Sequence, residues 1–396
     1  MTSLLAVHQG GGVGGAPVSL LKLLAALDRT RFEPHALFTE HGGVVDYARA
    51  LSVPASVVPT GGAFFYSAHA RLEPRGLARF IRTFPAAVLT ARAVLRRQSP
   101  DVLHLNTSVL LAWAAAARRE HVPIVWVVRE VLGPNRTLRT WHAGYILRRA
   151  RRLVAISGAV RACFPSDARV DVVHNAVDLT EFRLDIDRAA VRKELGIGAD
   201  EHVVMLIGSV QRAKGHWLAL DAFARLKAPF RLVLVSGGVD ANYAHTARGR
   251  IKSALKIPMD NLDALLWDAQ HKGIGDRILV TGFRRDIPRL LASADVLVFP
   301  SLAPEGFGRP IIEAMAMARP VVATDVGPSR ELLGPYSGIV VSPGPRALAT
   351  AIDSLLQDPA TRARLGGAGR ARVEACFGLD KQVAAMSTVY AEAARV

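Results

Sequence analysis

A chain of 396 residues, half of them hydrophobic, is too long for one ordinary core and suits two domains of nearly equal size. Its formal charge of +16 comes mostly from arginine, as a coding bias would give; a nucleic-acid partner is not expected, which leaves phosphorylated ligands or an anionic membrane face as functional alternatives. Two cysteines, Cys163 and Cys376, exclude a disulfide framework and fit a reducing cytoplasm, and no apolar run approaches the roughly 18 residues of a membrane span.

The chain opens on a strand, Ser3–His8, without the basic flank and cleavage site of a secretory signal, so a cytoplasmic location is expected. Further strands are predicted at His35–Thr39, Ser56–Pro59, Asp101–Leu105, Ile124–Val128, Leu153–Ser157 and Asp171–His174, with helices such as Pro17–Leu27 and Ser108–Glu120 between them. Arg75, Arg79 and Arg82 recur at helical spacing among Phe80, Ile81, Phe84, Val88 and Leu89. That pattern fits a solvated helix, or one lying on an anionic bilayer at the inner face of the membrane. Arg148, Arg149, Arg151 and Arg152 form a second basic cluster with the same two readings.

A charge-rich stretch, Asp178–Glu201, reads as a hinge holding a short helix. Its Asp185-Ile186-Asp187 matches a metal-binding D-x-D but lies away from any predicted strand end, so no metal site is assigned. The alternation then restarts, with strands at His202–Ile207, Arg231–Ser236, Arg277–Gly282, Asp295–Pro300, Pro320–Thr324 and Gly338–Val341. Helices fall at Gly215–Leu226, Ile287–Ala292, Pro310–Ala318 and Pro345–Gln357, and an amphipathic helix at Leu379–Ala394 closes the chain. The connection Gly237–Asp276 is long for its place and carries a helical pattern, Ala247–Leu255, and an apolar string, Leu262–Trp267. The whole predicts an α/β protein of two Rossmann-like, doubly wound parallel-sheet domains facing across a cleft. The expected spans are 1–180 and 181–376, with a helix over 377–396 packing back on the first domain.

The most specific signal is SLAPEGFGRPIIEAMAMARP, Ser301–Pro320. A strand end is followed by Glu305, then Gly306, Phe307 and Gly308, with Pro310 placed to open a helix and Glu313 in its first turn. Glycine-flanked amides at a helix N-terminus suit phosphate oxygens, and two carboxylates can accept from vicinal hydroxyls. Upstream, IGSVQRAKGHW brings Ser209, Arg212 and Lys214 to the end of another strand, where two cations can neutralise a departing diphosphate. The first strand leads into HQGGGVGGAPVSLL, whose Gly10, Gly12 and Gly15 fit G-x-G-x-x-G, with Glu40 ending the second strand. Taken alone this loop would suit an NAD(P)-dependent oxidoreductase.

The string EGFGRPIIEAMA resembles the E-x7-E signature of the family-four retaining glycosyltransferases, and the resemblance covers most of the chain. VVHNAVDLTEF resembles the segment leaving their first domain, VTGFRRDIPRLLASADVLVFPS the stretch beside their nucleobase pocket, and ATDVGPSRELL the part after their signature. The resemblance implies the GT-B fold and a nucleotide-sugar donor gripped by the second domain, with no metal and no cofactor required. It implies that Glu313 binds the donor ribose and Glu305 the transferred sugar, with amides of Gly306, Phe307 and Gly308 close to sugar and diphosphate. Gly282 and Phe283 would border the base, while Gly12 and Gly14 would face the donor phosphate or the acceptor. The family's arginine after the glycine is replaced by Ser209, so Lys214 and Arg212 are expected to carry the leaving group. Where relatives place a histidine this chain has Val127-Val128-Arg129-Glu130, which leaves Glu130 as a catalytic candidate and Arg129 facing the acceptor; His104, ending the neighbouring strand, is a further acceptor-side candidate. The implied reaction is retaining transfer to a glycan, lipid-linked or small-molecule acceptor, in envelope glycan or glycoconjugate synthesis; the alternatives are the NAD(P)-dependent oxidoreductase and a nucleotide-sugar epimerase of the same fold.

Overall fold

A computed structural model describes residues 1–68, 72–198, 200–236 and 261–395. Among these, thirteen strands form two parallel sheets. The first sheet holds β1 (Thr2–His8), β2 (Phe32–Phe38), β3 (Ala55–Val57), β4 (Val102–Leu105), β5 (Ile124–Val128), β6 (Arg152–Ala155) and β7 (Val170–Val172), in the order β3-β2-β1-β4-β5-β6-β7. The second holds β8 (His202–Ile207), β9 (Phe230–Val235), β10 (Ile278–Val280), β11 (Val296–Phe299), β12 (Val321–Thr324) and β13 (Gly338–Val341), in the order β10-β9-β8-β11-β12-β13. Each order reverses once, between β1 and β4 and between β8 and β11, and a doubly wound sheet binds its ligands beyond the carboxyl ends at such a reversal.

The strands are short apolar runs because helices cover both faces. Every residue of β4, β5, β11 and β12 is buried. The second sheet's core joins Leu206, Leu234 and Val298 to Phe223, Ile352 and Leu355 from its helices. β2 begins earlier than the sequence suggests: Glu33 and Pro34 interrupt the apolar run, yet Pro34 pairs with Leu4 in the parallel register.

Several helices start on side-chain caps that occupy otherwise orphaned amides. Asn135 caps Arg136–Arg149, Asp187 caps Arg188–Glu194, Asn261 caps Leu262–His271 and Asp358 caps Pro359–Cys376. Asp187 thus serves the short helix of the charged stretch, and Asp185 pairs with Arg183. The string Leu262–Trp267 falls in the helix capped by Asn261, burying Leu265; the helical pattern Ala247–Leu255 lies outside the described residues.

Two compact units result. One comprises Met1–Ala176, Glu305–Phe307 and Leu379–Val396; the other comprises Val177–Pro304 and Gly308–Gly378. The helix Leu379–Ala394 belongs to the first unit, where the Tyr390 hydroxyl meets His104 Nδ1 at 2.6 Å.

Candidate active site

In the second unit, the chain leaves β8 at Gly208, whose φ of +147° a side chain would resist. The Lys214 ammonium lies above that glycine, 3.8 Å from where a Cβ would stand. Gly215 then enters a helix at φ +74°, and a Cβ there would overlap the Pro300 carbonyl oxygen. The Ala213 carbonyl accepts from Leu302 N–H at 2.8 Å and Ala303 N–H at 3.1 Å. The Lys214 loop is therefore laced to the segment leaving β11, the neighbouring strand at the reversal. Sequence-nominated Ser209 accepts from Gln211 Nε2 at 3.3 Å. Arg212 is exposed and stacks its guanidinium 4.2 Å above the Trp217 ring, a cation–π contact within its own loop and helix.

The same segment reaches the helix Arg309–Ala316 through Gly308, at φ +95°, with Pro310 in its first turn. Glu313 is buried, 6 % exposed, and Arg309 Nη2 donates to its Oε1 at 2.7 Å. Sequence reading missed Arg309, although its i,i+4 spacing from Glu313 was a usable signal. Gly282, at φ +71°, follows β10 and leaves Phe283 exposed at the sheet's carboxyl edge.

Glu305, Gly306 and Phe307 cluster with the first unit. Ser157 Oγ donates to the Gly306 carbonyl at 2.7 Å, and a Cβ on Gly306 would overlap the Arg129 carbonyl oxygen. Phe307 is buried with its ring 6.0 Å from His174, and Glu305 is half-buried.

At the reversal of the first sheet the glycine-rich loop is held by Gly10, at φ +95° with its N–H donating to Thr39 Oγ1 at 3.0 Å, and by Gly11, which the sequence did not single out. A Cβ on Gly11 would overlap the carbonyl oxygens of Glu40 and His41, whereas Gly12 and Gly14 have no neighbour within 4 Å of a Cβ. Gly14 is the N-cap of the helix Gly15–Ala25. Glu40 accepts from Gln9 Nε2 at 3.1 Å.

Arg129 and His104 both carry their side chains into a buried polar network. Arg129 Nε donates to Asn106 Oδ1 and Nη1 to Asn175 Oδ1, each at 2.7 Å. Asn106 also meets His8 Nδ1 at 3.0 Å and His104 Nε2 at 3.3 Å, and Ser19 Oγ donates to Asn175 Oδ1 at 3.1 Å. Burial, with the nearby Arg129 charge, lowers the pKa of both His8 and His104 to about 3. The network joins residues far apart in the chain, so spacing gave no sign of it. Glu130 accepts at Oε2 from Ser108 N–H at 2.9 Å and from Arg129 N–H at 3.3 Å. Desolvation pushes its carboxyl up despite the residue's partial exposure. It braces the loop after β4 against the end of β5. The second basic cluster is also engaged: Arg152 pairs with Asp171 and Glu392, and Arg149 stacks on Tyr145.

Solved structures resemble this chain along nearly its whole length. Anabaena HepE in complex with UDP and glucose superposes with a TM-score of 0.79 at 22 % identity, covering 98 % of this chain and 99 % of that one. A glycosyltransferase from Rickettsia africae gives 0.78 at 17 % identity, covering 100 % and 99 %. The fold is thus that of the GT-B glycosyltransferases. The pattern described as Glycosyltransferase Family 4 matches residues 13–181, and that of Glycosyl transferases group 1 matches residues 187–372. A D-inositol 3-phosphate glycosyltransferase of Xylanimonas cellulosilytica is 31 % identical over 99 % of this chain and 97 % of its own. One of the same name from Mycobacterium tuberculosis is 30 % identical over 99 % and 83 %. The chain belongs to the family-four glycosyltransferases.

Proposed function

We propose that this glycosyltransferase moves a sugar, with retention of anomeric configuration, from a nucleoside-diphosphate sugar held mainly by its second unit to an acceptor hydroxyl on a cell-envelope glycan or glycolipid, met in the cytoplasm at the inner face of the membrane. One observation carries the donor assignment. Lys214 and the Gly308-capped helix bearing Glu313 follow β8 and β11, the adjacent strands at which the second sheet reverses. A cation beside a helix N-terminus suits a diphosphate. Lys214 would neutralise the leaving group, with Arg212 in support, since its stacking on Trp217 already occupies one face of the guanidinium. Glu313 would accept from the ribose, with Arg309 orienting it, and Glu305 would accept from the transferred sugar. Gly282 and Phe283 would border the base, and Gly12 and Gly14 would approach donor phosphate or acceptor. Retention is proposed to follow same-face attack, the leaving phosphate oxygen taking the acceptor proton, without a metal.

Similarity to HepE, solved with UDP and glucose, supports testing UDP sugars first. A second reading of the acceptor, a phosphorylated polyol, takes its support from the name shared by the full-length relatives.

A thermal-shift screen of UDP, GDP, ADP and dTDP sugars should give one that raises the melting temperature by mass action. The matching sugar should then be transferred in EDTA with its anomeric configuration kept. An inverted product would overturn retention; transfer that stops in EDTA and returns with a divalent ion would overturn the metal-free route.

A further inference from the structure

The helix Pro74–Gln98 buries none of its residues before Ala87; Ala87, Val88, Ala91 and Leu95 fasten its second half to the first unit. Before Ala87 only Phe80, Thr83 and Phe84 are even half-buried, and the outer side of such a helix is ordinarily polar. Here Leu77, Ile81, Pro85 and Leu89 recur at every fourth residue, with Ile81 62 % and Leu89 63 % exposed. Residues four apart share a helix face, so these side chains form one outward stripe. Arg75, Arg79 and Arg82 border it and have no acidic partner among the described residues, whereas Arg92 and Arg96 on the fastened half share Glu120.

The stripe runs on into aromatic rings. Phe64 packs 5.2 Å from Phe80 and 5.5 Å from Trp141, and Phe80 packs 5.1 Å from Phe84. Phe65 and Trp141, on the outside of this cluster, are more than 40 % exposed. Between the cluster and the start of the helix lies a cavity of about 160 Å³, lined by Phe64, Phe65, Leu72, Arg79 and Phe80 among others.

We propose that this helix face and the aromatic cluster beside it dock the protein on an anionic bilayer. The apolar stripe would enter the boundary between headgroups and acyl chains, leaving the arginines among the lipid phosphates. Tryptophan is favoured at that depth because its ring is apolar and its N–H polar. A nucleic acid would answer the arginines but set phosphate against Ile81 and Leu89. A second copy of the chain would answer the apolar stripe but bring like charges together. Only the bilayer matches both halves of the surface. Among the described residues no helix is long and apolar enough to cross a membrane, so attachment would be peripheral. The proposal deepens the envelope-acceptor reading and rests on it for its purpose. Vesicle binding needs neither donor nor acceptor, so the two fail separately.

The full chain would be sedimented with phosphatidylcholine vesicles, with and without phosphatidylglycerol, at low and high salt. It should pellet only with the anionic vesicles and be released by salt. The variant R79Q/R82Q should bind about twenty-five-fold more weakly, at about fivefold per arginine near an anionic surface. I81S/L89S should lose about tenfold or more through its apolar contribution. Both variants should keep the melting temperature of the parent and its donor hydrolysis in the absence of vesicles. Equal binding to neutral vesicles, no binding to anionic ones, or unchanged binding by either variant overturns the proposal. So does duplex DNA binding that outcompetes vesicles and survives I81S/L89S, or a parent dimer that I81S/L89S dissociates.

Discussion

Arg309 Nη2 reaches Glu313 Oε1 across 2.7 Å, one helical turn apart, and both side chains are largely withdrawn from solvent. A charge-assisted bond of this kind fixes the carboxylate's direction while leaving acceptor capacity on its second oxygen. Glu313→Ala should lower kcat/KM by ten- to a hundredfold, since a buried hydrogen bond to a ligand is worth roughly 1–3 kcal/mol. Arg309→Ala should act in the same direction but less, by freeing the carboxylate to turn. Steady-state kinetics against the donor, with nucleotide binding by calorimetry, separates the two. Parental kcat/KM in Glu313→Ala would remove that residue from the site.

Much of this was legible because the chemistry is contiguous in the chain. Gly308 and Pro310 open the helix Arg309–Ala316 as their spacing suggested, but Glu313 lies beyond its first turn rather than in it, and Glu305 clusters with the first unit. The strands were equally plain, as buried parallel strands must be apolar runs; β2 was truncated only because Glu33 and Pro34 hid its start. The helices Arg136–Arg149 and Pro359–Cys376 gave no clear apolar period and went unpredicted, although Asn135 and Asp358 were there to cap them. Arg129 shows the limit. Its sequence neighbours suggested a strand end open to an acceptor, but its partners Asn106 and Asn175 lie 23 and 46 residues away, and only the fold brings them together.

Lys214 lies half-buried over Gly208, at the rim of the loop rather than in the core, so Lys214→Ala should leave thermal stability within about 1 kcal/mol of the parent. If Lys214 faces the leaving diphosphate as proposed, its loss should still cost about a hundredfold or more in kcat, by analogy with removal of one preorganised charge-stabilising donor. Single-turnover transfer checks this. A variant with unchanged kcat would move the leaving-group role elsewhere, with Arg212 the next residue to test.

Tyr390→Phe removes the hydroxyl that meets His104 Nδ1 at 2.6 Å in a fully buried setting. A buried polar nitrogen left without its partner costs roughly 1–3 kcal/mol, and the loss should appear as earlier thermal unfolding. An unshifted transition would mean the closing helix is not fastened through this contact.

His8 and His104 both have pKa values lowered to about 3 from 6.5, chiefly by burial, and burial takes His142 to about 4. A histidine held neutral in the fold binds fewer protons than in the unfolded chain between its two pKa values, so stability rises with pH there. The contribution is complete above about pH 6.5 and is lost as pH falls towards 3, at up to about 1.4 kcal/mol per pH unit for each histidine. Denaturant unfolding from pH 7.5 to pH 5 should show the slope, and His8→Asn should reduce it. A flat profile over that range would mean these rings accept protons in the fold.

Gly11 and Gly12 are adjacent, yet substitution should affect them in different ways. A Cβ on Gly11 would overlap the carbonyl oxygens of Glu40 and His41, so Gly11→Ala must push the loop off the end of the second strand, at a cost of about 1–3 kcal/mol. Nothing stands within 4 Å of a Cβ on Gly12, and its φ is not in the left-handed region, so Gly12→Ala should fold as well as the parent. If donor phosphate or acceptor passes over this loop, however, the added methyl takes up space that the ligand needs. Gly12→Ala should then raise KM by about tenfold with the melting temperature unchanged, while Gly11→Ala should lose both stability and activity. Parental kinetics in Gly12→Ala would show that the loop lies clear of both substrates, leaving its glycines to serve only the packing of the first strand against the helix that follows.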